Sequence, residues 1–222
     1  MSGILVLGRL RSELHRRGVL GTLRFLARRI LRFQRHLLFR FDADGARHSP
    51  RRLRGYRFLT VTPERYEVQS SLFPDQFDAI AKAGGAEYLE GVVKGEAVLV
   101  LVLYGRAPAH YGYLMLRSRT LSLLGQDREC GALVGNAFTW PEYRGFGLQT
   151  YSAYRRGATA GRLGCERVIS ETAPDNIASQ RGLAKGGFMP AGEVAVLVVL
   201  NRVAIGLSSQ ADSHRLYLRW CG

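Results

Sequence analysis

The sequence predicts an α+β domain, a mixed α/β arrangement on a largely antiparallel sheet, and three observations carry that expectation. Ala97 to Tyr104 is an unbroken apolar, β-branched-rich run ended by Gly105 and Pro108, which is the signature of a buried strand. Tyr56 to Val61 alternates and runs into Thr62-Pro63-Glu64-Arg65, a helix start with Thr at the N-cap and Pro in the first turn. The second half then interleaves strand and helix: Cys130 to Thr139, Leu148 to Gly161, Arg167 to Glu171, and Asn176 to Lys185.

The remaining elements fill in around these. Pro74 to Ala83 reads as a short helix, and His110 to Leu116 as the return strand of a hairpin with Ala97 to Tyr104. Cys130 to Thr139 stops at Trp140-Pro141, because proline cannot continue a central ladder. Glu193 to Leu200 and Arg215 to Trp220 read as the closing strands, with a loop around 201–214 between them.

At 222 residues the chain is long enough for one full-sized core and an appendage. The net charge of +14 is very unevenly spread: residues 1–57 hold fifteen arginines and three acids, a net +12, and the rest is nearly neutral. Within this segment Leu20, Leu23, Ala27, Ile30, Leu31, Leu37, Leu38 and Phe41 fall at helical spacing, with Arg24, Arg28, Arg32 and Arg35 striped opposite, so a helix is expected over 20–41. A polar linker follows to Pro50, which divides the chain into an Arg-rich extension, 1–50, and a domain, 51–222. Cys130, Cys165 and Cys221 form no CxxC pair, so neither a disulfide framework nor a metal site is expected. The apolar start Ile4 to Leu7 is too short for a secretory signal, and no uncharged apolar run approaches the ~18 residues of a membrane span. A cytoplasmic location is the resulting expectation.

The strongest local signal is a strand, then Pro141-Glu142-Tyr143-Arg144-Gly145-Phe146-Gly147-Leu148-Gln149-Thr150, then a helix. Glycines after a strand let several amide N–H groups converge, and the following helix adds its own unsatisfied N–H groups, a geometry suited to a pyrophosphate. A second signal stands about thirty residues on: Val168-Ile169-Ser170-Glu171, then Asn176-Ile177-Ala178-Ser179 through Lys185-Gly186-Gly187-Phe188. Together the two stretches resemble the GNAT superfamily of N-acetyltransferases over roughly residues 54–220. The resemblance implies a twisted sheet of six to seven strands, split between its fourth and fifth, with about four helices, and acetyl-CoA as co-substrate without a metal. It also implies that Arg144, Gly145, Phe146, Gly147, Leu148, Gln149 and Thr150 wrap the pyrophosphate. A backbone N–H near Phe138 or Thr139 would polarise the thioester, Asn176 would bond the pantetheine arm, and Ser179 would lie one turn along the same helix face.

Two residues depart from the pattern. Leu183 stands where many relatives carry a Tyr that protonates the CoA thiolate, and Gln149 stands where Gly or Ala is usual. For the general base, Glu171 at a strand end and His110 in the hairpin are both candidates, with a surface-paired Glu and a satisfied interior His as the structural alternatives. The implied reaction is acyl transfer from CoA to a primary amine. The loops around 63–90 and 201–214 show no clustered acids of the kind a polyamine would favour, which leaves an amino sugar or other small amine as the expected acceptor. The alternative is a degenerate CoA-binding module whose basic segment, residues 1–41, meets an anionic membrane surface, a partner protein or an acidic acyl carrier protein. Nucleic acid is disfavoured, since arginine alternates with bulky aliphatics and no readout motif follows.

Overall fold

The computed structural model describes residues 31–41, 50, 53–118, 121, 131–199, 203–210 and 213–220. Nine strands are found among them: β1 (Leu31–Phe41), β2 (Tyr56–Val61), β3 (Ala97–Tyr104), β4 (Ala107–Met115), β5 (Gly131–Thr139), β6 (Arg167–Thr172), β7 (Phe188–Val199), β8 (Val203–Gln210) and β9 (Ser213–Trp220). They form one sheet in the order β2-β3-β4-β5-β6-β1-β7-β8-β9. Every neighbouring pair is antiparallel except β5 with β6. The mixed, largely antiparallel class is therefore as expected.

Helices cover both faces of the sheet. One face carries α1 (Pro63–Leu72), α2 (Pro74–Ile80), a π turn (Ala81–Gly85) and α3 (Ala86–Val93). Against them lie Leu99, Leu101, Leu103, Tyr111, Tyr113, Leu133 and Ile169, the side chains of alternate strand positions. The other face carries α4 (Leu148–Arg162) and α5 (Ile177–Lys185) over Phe39, Phe41, Val98, Leu114, Val134 and Val168. β3 has both faces covered, so it reads as a continuous apolar run, not as an alternation.

The principal correction concerns the basic segment. Residues 31–41 are not the end of a helix: they form β1, an interior strand between β6 and β7, and so lie inside the domain. The expected helix upstream of residue 31, and the rest of the 1–50 extension, lie outside the described residues. The reason for the error is legible in the residues. Leu37, Leu38 and Phe41 fit a helical spacing, yet Leu37, Phe39 and Phe41 also alternate at period two, and it is these three that reach the α4–α5 face. Arg35, expected in a solvated helical stripe, instead donates from Nε to Glu193 on β7 at 2.9 Å.

Two smaller differences follow. The helix expected over Pro74 to Ala83 is found as α2 and the start of the π turn, and a further helix not expected, α3, follows it across a kink where Gly84 takes φ +92° and Tyr111 and Tyr113 donate their hydroxyls to the carbonyls of Ala83 and Gly85, each at 3.1 Å. The stretch 201–214, expected as a loop, contains β8, which pairs with β7 from Gly192↔Gln210 to Val199↔Val203.

Membership of β1 in the core has a measurable consequence. Phe41 is 8% exposed, with its ring 5.1 Å from that of Phe188 and beneath Gly157, where an added Cβ would come within 2.7 Å of it. Phe41→Ala is expected to lower the unfolding free energy by about 3 kcal/mol in urea titration, whereas a residue in a detached extension would show no change.

Candidate functional site

The site begins where the β5–β6 ladder stops. Pairing runs from Gly131↔Arg167 to Val134↔Ser170 and goes no further, although both strands continue. Two side chains end it. Ser170 Oγ donates to the Val134 carbonyl at 2.6 Å, taking an acceptor that a longer ladder would use. One residue on, Arg156 Nη1 donates to the Gly135 carbonyl at 2.9 Å and to the Tyr113 carbonyl at 3.2 Å.

Those carbonyls are available because β5 bulges here. Its register with β4 shifts between Tyr111 and Tyr113, and Asn136 takes φ +43°, a left-handed conformation uncommon for a residue with a side chain. The extra residue bends β5 away from β6, and the two strands splay from residue 135 onward.

The backbone edge facing the split can be read from the far end. Trp140 N–H donates to the Ala109 carbonyl at 3.2 Å. By the alternation of an antiparallel ladder, Phe138 then turns its N–H toward β4 and Thr139 turns its own away. Arg144 Nε donating to the Thr139 carbonyl at 3.2 Å agrees with that direction. Of the two residues expected to offer an amide there, Thr139 is thus the one whose N–H is directed away from β4, and neither residue lines a cavity described below.

At the mouth of the split, Gly145 and Gly147 take φ +86° and +78°, and nothing lies within 4 Å of the position either Cβ would occupy. Arg144 N–H returns to Pro141 O at 3.2 Å and Tyr151 N–H to Gly147 O at 3.1 Å. Among the described residues, the N–H groups of Gly145, Phe146, Gly147, Leu148, Gln149 and Thr150 take no backbone partner. Six successive N–H groups, 145 to 150, are thus left without a backbone acceptor, with the Arg144 side chain beside them and its amide engaged. Gln149 fits where a small residue is usual because Gly182 on α5 faces it: a Cβ there would stand 3.1 Å from Gln149 Cγ.

A cavity of about 310 Å³ lies at the split, touching the loop through Gln149 and lined also by Asn176, Ser179, Arg156, Ser170 and Thr172. Asn176 caps α5, its Oδ1 accepting from Ser179 N–H at 3.0 Å, so its amide NH₂ is the group left to face the cavity. On the opposite face of the sheet lies a larger cavity of about 560 Å³, walled by α3, β1 and β7. The two share His36, Met115, Leu133, Asn136 and Glu171, so they meet through the split.

Charge is distributed unequally across that junction. The larger cavity carries Glu87, Glu90, Glu96 and Glu171 against Lys94 and Arg117. The expectation of no clustered acids concerned the loops around 63–90 and 201–214; Glu96 and Glu171 come from outside them, and only the fold gathers them with Glu87 and Glu90. The smaller cavity has Arg156, fully buried, with its pKa pushed down to about 9 by burial, which still leaves it charged at neutral pH. His110 is buried beside it, Nδ1 sharing a hydrogen with Thr139 Oγ1 at 2.8 Å. Burial first, and then the Arg156 charge, hold His110 well below the usual imidazole range, so it is neutral. Neither cavity reaches it, and of the two candidate bases only Glu171 lines the junction. His36, Tyr88, Asn136 and Arg156 were not singled out from the sequence; His36 lay in the segment read as a helix, and Arg156 follows Arg155 as if on a solvated face.

No family model and no curated protein matches the chain. Solved structures do match: an acetyltransferase of the GNAT family from Colwellia psychrerythraea superposes with a TM-score of 0.50 at 15% identity, over 80% of this chain and 61% of that one. The chain has the GNAT fold. A putative GNAT-family acetyltransferase from Novosphingobium aromaticivorans is similar at 18% identity with a TM-score of 0.48, over 75% of this chain and 64% of that one. The chain spans less than two thirds of the length of either structure. In GNAT terms, the split expected between the fourth and fifth strands falls here between β5 and β6, because β1 precedes the expected first strand.

The buried neutral imidazole makes stability depend on pH. Unfolded His110 takes up a proton below its ordinary pKa of ~6.5 while the folded form does not, so the unfolded state binds more protons there and stability is lost as the pH is lowered through that range. Thermal unfolding followed from about pH 7.5 to 5 should show a falling midpoint in the wild type and a smaller fall in His110→Gln.

Proposed function

We propose that this protein transfers an acetyl or other acyl group from CoA to the primary amine of a small molecule. The observation that carries the reading is the open end of the β5–β6 ladder, lying between a cradle of unpartnered amides and a second cavity on the far side of the sheet.

The amides of residues 145–150, at the N-terminus of α4, hold the pyrophosphate, since an anion there meets both hydrogen-bond donors and the positive end of the helix. The splayed edges of β5 and β6 take the pantetheine arm as an added strand, with the Thr139 N–H turned toward it and the Asn176 amide beside it. Acetyl-CoA thus enters by the smaller cavity and presents its thioester at the junction.

The acceptor occupies the larger cavity. Its four carboxylates outnumber its two cations, with Glu90 paired to Lys94 and Glu96 to Arg117, and the net negative wall favours a cationic amine such as a diamine or an amino sugar over a neutral acceptor. An ammonium cannot attack a carbonyl, so a base must first remove its proton. Glu171 lies where the two cavities meet and takes that role. Stabilisation of negative charge on the thioester oxygen falls to the backbone N–H groups on the split edge of β5.

Calorimetric titration with acetyl-CoA tests the reading directly: saturable binding is expected, and none at millimolar ligand would end it. In turnover, Glu171→Gln should lower kcat ~100-fold or more while the acetyl-CoA Kd stays within about two-fold.

A further inference from the structure

A thiolate leaving from CoA needs a proton, and the element that commonly supplies it in GNAT proteins cannot do so here. Leu183, which stands at that place on α5, is 1% exposed and part of the core. With the thioester presented where the two cavities meet, a donor has to come from the side chains that line both. These are His36, Met115, Leu133, Asn136 and Glu171. Leucine and methionine hold no proton to give, and a side-chain amide is no acid; Asn136 Nδ2 in any case donates to Met115 Sδ at 3.4 Å. Glu171 already serves the amine, which leaves His36.

The backbone places His36 beside Glu171. Along β1, Leu38 packs into the core under α1, α2 and α3, while Leu37 and Phe39 face α4 and α5, so by alternation His36 lies on the α3 side of the sheet. Ile169 and Val168 divide β6 in the same way and put Glu171 on that side too. Leu38 is the direct partner of Glu171 in the β1–β6 ladder, which makes His36 the diagonal neighbour of Glu171 on a shared face, a spacing that long side chains span. On its other flank His36 faces Val194 of β7, which is apolar. β6 ends at Thr172, and Ala173, which would face His36 in a longer ladder, lines the smaller cavity together with it. The half-buried imidazole thus stands at the end of a strand, in contact with both cavities.

An imidazole also has what a carboxylate lacks. In its neutral form one ring nitrogen carries a proton and the other is bare, so it takes a proton on one edge and gives one from the other.

We propose that His36 carries a proton from the amine side of the junction to the departing sulfur, a role that rests on the acyltransferase reading above. Glu171 first passes one proton of the ammonium to solvent in the open cavity, and the amine nitrogen forms a bond to the thioester carbon. The nitrogen then loses a second proton to Glu171, which hands it to the bare nitrogen of His36. The carbon–sulfur bond breaks with its electron pair on sulfur, and a proton from His36 goes to that sulfur. Both side chains end as they began, and the products are the amide, the free thiol and one proton in solvent.

His36→Ala is the decisive variant, because free imidazole can enter the space it opens. With acetyl-CoA as donor and 1,4-diaminobutane or glucosamine as probe acceptor, thiol release gives kcat and calorimetry gives the acetyl-CoA Kd. The expected result is a fall in kcat of about 100-fold with Kd changed less than about two-fold. Added imidazole should restore the His36→Ala rate by about ten-fold or more and leave Glu171→Gln unchanged. His36→Gln keeps a polar side chain in β1 and should show the same loss of kcat, and it decides the matter if alanine unfolds the strand. A fall of less than about ten-fold in either folded variant overturns the proton-carrying role and leaves the transferase reading intact. A larger fall in folded His36→Ala that imidazole does not relieve overturns that role as well, since it marks a purely structural part. Wild-type protein that binds no acetyl-CoA overturns the transferase reading itself, and binding with no thiol release to either amine or to water overturns both.

Discussion

The architecture depends on stopping one ladder of hydrogen bonds at a chosen residue. A parallel pair such as β5 and β6 would ordinarily continue as long as both strands do, since every unpaired backbone group in a sheet interior is costly. Here the cost is met by side chains. Ser170 satisfies Val134 and Arg156 satisfies Gly135 and Tyr113, so the strands separate without leaving those carbonyls bare. Gly112 is part of the same device, because a Cβ on it would stand 2.6 Å from the Arg156 guanidinium carbon. A gap in a sheet is thus a built feature, and it lets two cavities on opposite faces communicate.

β1 closes the other side of that arrangement. Inserted between β6 and β7, it pairs with β6 from Leu37↔Thr172 to Arg40↔Ile169 and with β7 along its whole length. β6 is therefore supported on the flank away from the split, which keeps its end from drifting when β5 no longer pairs with it. The same strand brings His36 to the junction. A segment distinguished in sequence mainly by its arginines contributes, in the fold, a wall of the site.

What could be read in advance was local. β3 was legible to the residue because seven consecutive apolar side chains, Ala97 to Leu103, are buried on both faces and leave no other interpretation. The cradle was legible because Gly145 and Gly147 mark positive φ and the following helix follows from composition. What could not be read was juxtaposition. Glu96 follows α3 and Glu171 is the penultimate residue of β6, seventy-five residues apart in the chain, yet they line one cavity with Glu87 and Glu90. The bulge at Asn136 has no sequence signal beyond an Asn, and the burial of Arg156 is set by the absence of a side chain at Gly112, forty-four residues earlier. β1 failed for a different reason: its apolar positions satisfy a helical and an alternating template at once, and only the vacant slot between β6 and β7 decides between them.

The two faces of the split differ in charge, and that difference orders the chemistry of the proposed reaction. On the α4–α5 side stand a helix N-terminus and a buried guanidinium, with His110 held neutral by its burial and, after that, by the guanidinium charge. On the α3 side stand four carboxylates and two cations. In the proposed reaction, a field of this sense would draw a phosphorylated donor to one face and a cationic acceptor to the other, so that neither would compete for the other's cavity. It also acts on the reaction itself. When the carbon–sulfur bond breaks, negative charge moves toward the side that holds the positive groups, while the proton leaving the amine moves toward the side that holds the carboxylates. A neutral His110 is part of this: a second buried cation there would raise the desolvation cost of Arg156 without adding a donor to the split.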